Sequence, residues 1–223
     1  MCGRYSLFND KEIVDIAQII QEVESRYGTA VNTGEIYPTN LAPVLIGGDV
    51  HPEPARWGFP KFNGSGVIIN ARAETAAEKP TFKTSLLTRR CAVPTTGFYE
   101  WDKDKRKLRF NRPDTPVLWL AGLYNDFAGE RRFVILTTAA NASMRAVHDR
   151  MPVILSADAL SAWTSDTDIA LSVLQAAQPF LCHSAKYSIL IKKRGAAGLM
   201  PEAPRFAMYP IPLLVSPGFA ACG

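Results

Sequence analysis

Apolar residues along this chain follow a helical spacing once, near the start, and thereafter gather in short runs broken by Gly, Pro, Asn and Asp. Ile13, Ile16, Ala17, Ile20 and Val23 recur at three- and four-residue intervals behind Asn9 and Glu12, which have the spacing of a capping box, so a helix with one inward face is predicted over 10–26. Tyr27-Gly28 ends it, and 34–40 reads as a loop because Pro38 bars helix continuation. The apolar run 41–46 closes on Gly47-Gly48, which predicts a strand entering a tight hairpin whose return arm is 51–59. Residues 67–69 read as a buried strand and 82–89 as a short helix. Strands over 91–101, 108–111, 117–124 and 132–138, separated by polar turns, have the spacing of an antiparallel meander. Helical turns over 141–147, a strand over 151–155, helices over 157–163 and 168–175, and strands over 179–184 and 187–191 complete the pattern. The fold class that follows is α+β: a single domain over 1–193 whose core is a curved antiparallel, barrel-like sheet flanked by helices. Residues 194–223, rich in Gly, Pro and Ala without periodicity, read as a C-terminal tail.

Composition supports a folded domain and excludes global disorder: 223 residues, 47% hydrophobic and 21% charged, suffice for a substantial core. The net charge of +4 is compatible with a polyanionic partner but does not select one. Arginine placement is more informative, because Arg4, Arg56, Arg72, Arg89, Arg90, Arg145 and Arg150 recur beside the polar motifs and point to an anion site. Cys2, Cys91, Cys182 and Cys222 are scattered, with no C-x-x-C pair and no histidine at zinc-finger spacing, which argues against structural zinc; no other cofactor is implied. With no secretory leader pattern and no apolar run near the ~18 residues of a membrane span, the expected setting is the reducing cytoplasm.

The chemistry concentrates in a few polar stretches. Removal of Met1 leaves Cys2 as an N-terminal 1,2-aminothiol, whose amine titrates near ~7.7–8.0 and whose thiol titrates near ~8.5. The thiolate can attack a carbonyl, or the amine can condense with an aldehyde to a Schiff base that the thiol then closes to a thiazolidine. Glu100, between Tyr99 and Trp101, either lies against aromatic surface, where desolvation favours its neutral form, or faces solvent on the polar side of a strand. His148 is a proton donor or acceptor beside Asp149 and Arg150, or a capping group at a helix end. Asn70 and Arg72, two apart at a strand end, share a side and suit a phosphate or carbonyl oxygen, although a salt bridge to Glu74 accounts for Arg72 almost as well.

Together, Met1-Cys2-Gly3-Arg4, Trp57-Gly58, Asn70-Ala71-Arg72-Ala73-Glu74-Thr75, Gly97-Phe98-Tyr99-Glu100-Trp101 and His148-Asp149-Arg150-Met151-Pro152 resemble the SOS response-associated peptidase family, the abasic-site processing proteins. The resemblance covers about 1–191 and implies a barrel-like single domain that captures abasic sites in single-stranded DNA through Cys2, by a Schiff base and then a thiazolidine crosslink, with autopeptidase and lyase activity. It implies Cys2 as the nucleophile, Asn70 as the group orienting the lesion or the terminus, Glu100 as acid and base, and His148 as a proton carrier at the sugar. Arg4, Trp57, Arg72 and Arg150 fall where family members touch DNA, by phosphate contact or base stacking. The implied partner is abasic single-stranded DNA, with no metal and no membrane, for a monomer in the cytoplasm that associates with the nucleoid through DNA. Cys182-His183-Ser184 departs from the His-Pro-Val-Ser-like strand of the family, and the last thirty or so residues have no counterpart in it. Two other readings stay open: a cysteine autopeptidase or amidohydrolase in which Cys2 attacks an amide with His148 or Glu100 as base, and a noncovalent single-strand binder.

Overall fold

A computed structural model of the chain describes residues 2–10 and 13–184. In chain order it contains β1 (Tyr5–Leu7), α1 (Val14–Tyr27), β2 (Gly34–Ile36), β3 (Leu41–Ile46), β4 (His51–Trp57), β5 (Phe59–Pro60), β6 (Val67–Ile68), β7 (Asn70–Arg72), α2 (Pro80–Thr88), β8 (Arg90–Thr95) and β9 (Gly97–Trp101). There follow β10 (Lys107–Asn111), β11 (Leu118–Phe127), β12 (Glu130–Ala139), β13 (Arg150–Pro152), β14 (Ile154–Leu155), α3 (Leu160–Ser165), α4 (Thr167–Gln175) and β15 (Cys182–Ser184).

The predicted hairpin is β3 and β4, with Leu41 opposite Arg56 and Ile46 opposite His51. Its turn needs left-handed backbone at Gly47, φ 72°, and holds Val50 there as well, φ 55°. β8 and β11 continue the sheet, β12 pairs back on β11, and β12 then lies parallel to β4, so β12, β4, β3, β8 and β11 close into a ring. Closure removes the free edges that an open sheet of this apolarity would expose. Successive residues of each strand serve two cores: Val44, Val93, Leu120, Phe133 and Ile135 pack with Tyr5, Phe98 and the inner face of α1, while Leu45, Ala92, Leu123, Val134 and Leu136 pack under α2 and α3 with Phe82, Leu86 and Trp163. Burial on both faces is why these strands read as continuous apolar runs.

A second sheet runs β15, β10, β9, β1, β2. The single strand predicted over 91–101 is two strands, because the chain leaves the barrel for this sheet at Thr96-Gly97. A Cβ at Gly97 would lie 2.7 Å from the Phe110 carbonyl oxygen, so only glycine permits that approach.

Other expectations are corrected by the structure. The loop predicted over 34–40 contains β2, which pairs with β1. The buried strand predicted over 67–69 reduces to the half-buried β6, paired with β5 in a side hairpin. The pairings among the meander strands are antiparallel as predicted, and β12 in addition pairs in parallel with β4 and β7, which lie outside the meander. The strand predicted over 151–155 divides, β13 pairing with β12 and β14 with β11, with Val153 N–H bonded to the Leu136 carbonyl at 2.9 Å between them. The first helix starts at Val14, with Ile13 at the N-cap and no side-chain cap; Glu12 of the predicted capping box lies outside the described residues. Its end is as predicted: Gly28 adopts φ 62° and donates its N–H to the Glu24 carbonyl. The strand predicted over 187–191 and the tail over 194–223 also lie outside the described residues. Among the described residues no helix is long and apolar enough to cross a membrane, and no group of three or more His, Cys, Asp and Glu is placed to hold a metal ion.

Candidate active site at the start of the chain

β1 lies between β9 and β2, with Tyr5 opposite Phe98 on one side and Ile36 on the other, and the Tyr99 N–H donates to the Arg4 carbonyl at 2.9 Å. This pairing draws Cys2 into the core, where it is 1% exposed. The Cys2 thiol lies 3.6 Å from the Arg4 carbonyl, and the Cys2 carbonyl accepts a hydrogen bond from Asn70 Nδ2 at 3.0 Å. Asn70 is positioned by the parallel pairing of β7 on β12, opposite Ile135. Its Oδ1 is buried with no hydrogen-bond partner among the described residues, an acceptor beside the start of the chain.

Glu100 faces inward on β9, opposite Leu108 of β10, and is 4% exposed, so the buried alternative is the one realised. Burial raises its pKa. Burial likewise pushes the Cys2 thiol up, and the Glu100 carboxylate adds to the effect, so the thiol stays protonated at neutral pH. Strand alternation alone did not locate Glu100, because Phe98, Tyr99 and Glu100 are all buried between the two neighbouring layers.

His148 ends a run of turns in which its N–H bonds the Met144 carbonyl at 3.0 Å. Its Nδ1 lies 2.8 Å from Asp149 Oδ1 and accepts from the Arg150 N–H at 3.0 Å. The charges of His148 and Asp149 both act on Glu100. Asn70 thus meets Cys2 directly, while Glu100 lies within electrostatic reach of Cys2, and His148 of Glu100, each from a separate segment.

The residues expected on DNA divide. Trp57 is corrected: it is fully buried, its Nε1 donates to the Ile69 carbonyl at 3.0 Å and its ring stacks on Phe133, so it has no face to offer a base. Arg150 forms a bidentate pair with Glu74 at 2.8 and 2.7 Å and also donates to the Thr137 carbonyl, which commits it to bracing β13 against β12. The hydrogen bond from Arg150 holds Glu74 down at about 2. Glu74 thus pairs with Arg150 and not with Arg72, which is exposed at the end of β7. Arg4 lies 3.4 Å from Glu35, with its guanidinium 4.2 Å from the Tyr37 ring centre and 5.0 Å from that of Trp101. Trp101 and Tyr37, 36% and 43% exposed, form with Arg4 a cationic and aromatic surface that the sequence reading missed. The signal that separates the two tryptophans is position: Trp57 ends a barrel strand, whereas Trp101 immediately precedes the charged turn 102–106.

Residues 1–189 match the family model described as SOS response associated peptidase (SRAP). The chain is 32% identical over 195 residues to the abasic site processing protein YoaM of Bacillus subtilis, covering 78% of this chain and 84% of that one. It is 27% identical over 227 residues to the abasic site processing protein YedK of Escherichia coli, covering 90% of this chain and all of the relative. A crystal structure of a protein from Bacteroides thetaiotaomicron superposes with a TM-score of 0.64 at 26% identity, over 78% of this chain and 86% of that one. With its fold and most of its length so matched, the chain belongs to the SOS response associated peptidase (SRAP) family.

Proposed function

We propose that the chain, once Met1 is removed, captures abasic sites in single-stranded DNA as a covalent adduct at Cys2. The observation that carries this reading is the Asn70 hydrogen bond to the Cys2 carbonyl beside the buried Glu100, which fixes the start of the chain against an acid. The names of YoaM and YedK as abasic site processing proteins support it.

A ring-opened abasic deoxyribose presents an aldehyde. The Cys2 amine adds to its carbon, and the carbonyl electron pair moves to oxygen, which takes a proton from Glu100. The cationic nitrogen gives up one proton, which passes to the new hydroxyl, and water leaves as the nitrogen lone pair forms a C=N bond that still carries the second N–H. The thiol sulfur then adds to the iminium carbon, its proton returns to the Glu100 carboxylate, and a neutral thiazolidine closes. A carboxyl whose burial favours the protonated form suits the acid role. The raised thiol favours attack by the amine first and disfavours the thiolate attack that an amidohydrolase needs. Arg72 supplies a phosphate contact, and Trp101 with Tyr37 a stacking surface, on a strand that needs no base extruded from a duplex.

The test is incubation of protein shown by intact mass to begin at Cys2 with an abasic single-stranded oligonucleotide, followed by a denaturing gel. A heat-stable slow band is expected from the native protein. Cys2→Ser, which keeps the amine, should give only an adduct that borohydride traps and heat releases. Absence of any slow band with Met1 removed refutes the reading. A heat-stable band from protein that retains Met1 replaces the thiazolidine with simple thiol addition.

A further inference from the structure

One carboxylate stands among the cations of the Arg4 surface. Glu35, on β2 opposite Ser6 of β1, accepts from three donors: Oε1 from Lys107 Nζ, and Oε2 from the Tyr37 hydroxyl at 3.2 Å and from Arg4 Nη1 at 3.4 Å. Lys107 opens β10, and its ammonium also lies 4.2 Å from the Tyr99 ring centre. Burial opposes the charge on Glu35, but the hydrogen bond and charge of Lys107, then Tyr37 and Arg4, outweigh it and hold the carboxyl below its ordinary pKa. At neutral pH Glu35 is therefore an anion in a site built from an ammonium, a phenol and a guanidinium.

Its fit to Arg4 is incomplete. A charge-assisted N–H···O bond runs to ~2.7–2.9 Å, and the Arg4 contact at 3.4 Å is well beyond that. Arg4 Nε is buried with no hydrogen-bond partner among the described residues. The guanidinium, held against the Tyr37 and Trp101 rings two residues after Cys2, thus keeps a donor that the carboxylate does not serve. A phosphodiester presents two non-bridging oxygens that share one negative charge, and a guanidinium binds such a pair with two parallel N–H bonds.

We propose that Glu35 is a resident competitor for DNA: its carboxylate occupies the place on Arg4 and Lys107 that a backbone phosphodiester of the bound strand takes, and so sets how strongly an undamaged strand is held. The inference rests on the single-stranded partner of the reading above, and not on the chemistry at Cys2. In the free protein Glu35 cancels one of the two cations. A phosphodiester approaching Arg4 meets that negative charge, and the carboxylate turns out to water. The Glu35 side chain is 30% exposed and β2 ends its sheet, so solvent can receive it. The lost pairs offset part of the attraction to phosphate, for damaged and undamaged strands alike. Retention of a strand then depends on the covalent bond at Cys2, which an undamaged strand cannot form.

The test is fluorescence anisotropy of a labelled, undamaged single-stranded oligonucleotide over a salt series. Glu35→Gln, which keeps the size of the side chain, should tighten binding at moderate salt by about three- to tenfold, because one repulsive charge is removed and a cation is released to phosphate. The log–log salt slope should steepen by about 0.7 for each cation so released. Glu35→Ser should tighten binding likewise, which keeps the test independent of the fold of one variant. Adding Lys107→Ala to Glu35→Gln should reverse half or more of the gain, since the released ammonium is then absent. Glu22→Gln controls for net charge: it makes the same change at an exposed position of α1, which packs on β3 and β4. Unchanged or weaker binding by both Glu35 variants overturns the inference and makes Glu35 a brace for Arg4. A gain matched by Glu22→Gln, or one that survives Lys107→Ala in full, overturns it as well. If the native protein forms no adduct with an abasic strand, the capture reading fails, while affinities for the undamaged strand still decide the role of Glu35.

Discussion

Asn70 is the residue on which the start of the chain depends most directly, through the 3.0 Å bond from its Nδ2 to the Cys2 carbonyl. Asn70→Ala removes the donor and leaves a buried carbonyl unserved. Loss of one such bond is worth about 0.5–1.5 kcal/mol, and an orphaned buried acceptor costs about 1–3 kcal/mol. Asn70→Asp keeps the shape but sets a carboxylate oxygen against the carbonyl, so it should cost about 3 kcal/mol or more. At about 1.4 kcal/mol per factor of ten, heat-stable adduct formation at saturating abasic oligonucleotide should slow roughly tenfold in Asn70→Ala and roughly 10²-fold in Asn70→Asp. The unfolding midpoint should fall by only about 2–6 °C in the alanine variant, because one hydrogen bond is a small part of a domain this size. The assay is single-turnover band shift on a denaturing gel, paired with thermal unfolding of the same samples. Equal rates for the native and aspartate proteins would show that the Cys2 carbonyl is not held through Asn70 during the reaction.

Glu100→Gln keeps the volume of the side chain and removes its proton, so capture should slow by about 10²-fold; single-turnover rates equal to the native protein's would make Glu100 structural. Arg72→Ala should lower the salt slope of oligonucleotide affinity by about 1, whereas Arg150→Ala, already committed to Glu74, should lower the unfolding midpoint with little change in slope; the reverse pattern would move the phosphate track to Arg150. Trp101→Ala should cost about 1–3 kcal/mol in binding of single-stranded DNA, measured by anisotropy, and an unaffected affinity would remove the stacking surface from the scheme. The pair Glu74–Arg150 gives a pH dependence of definite sign. Glu74 is held at about 2, below the ~4.3 of an unfolded glutamate, so its contribution is present above ~4.3 and lost as pH falls toward about 2. With a Glu74 side chain 47% exposed, that contribution is below about 1 kcal/mol, and the stability gap between native protein and Glu74→Gln, measured by urea unfolding, should shrink from pH 7 to pH 3. A gap that does not change with pH would mean that the pair contributes nothing through charge.

Much of this protein is determined locally and is legible in its sequence. The helix α1 follows from the spacing of Ile16, Ile20 and Val23, and its end from Gly28, because both depend on neighbours within one turn. The hairpin of β3 and β4 follows from an apolar run stopped by two glycines. Cys2, Asn70, Glu100 and His148 can be singled out by residue type and motif, since their chemistry belongs to the side chains themselves. What the tertiary structure alone decides is which of these groups meet and which face water. β12 lies beside β4 in parallel, a pairing between segments some 75 residues apart that no local periodicity encodes, and it closes the barrel around Trp57. The same closure buries one tryptophan and leaves Trp101 at a strand end in solvent, although both stand in motifs of similar character. Arg150 and Arg72 are equally basic in sequence, yet one is spent on Glu74 and the other is exposed, because an ion pair is chosen by distance after folding. The two partners of His148 Nδ1 are adjacent in sequence, but only the turn that precedes β13 brings them to one nitrogen.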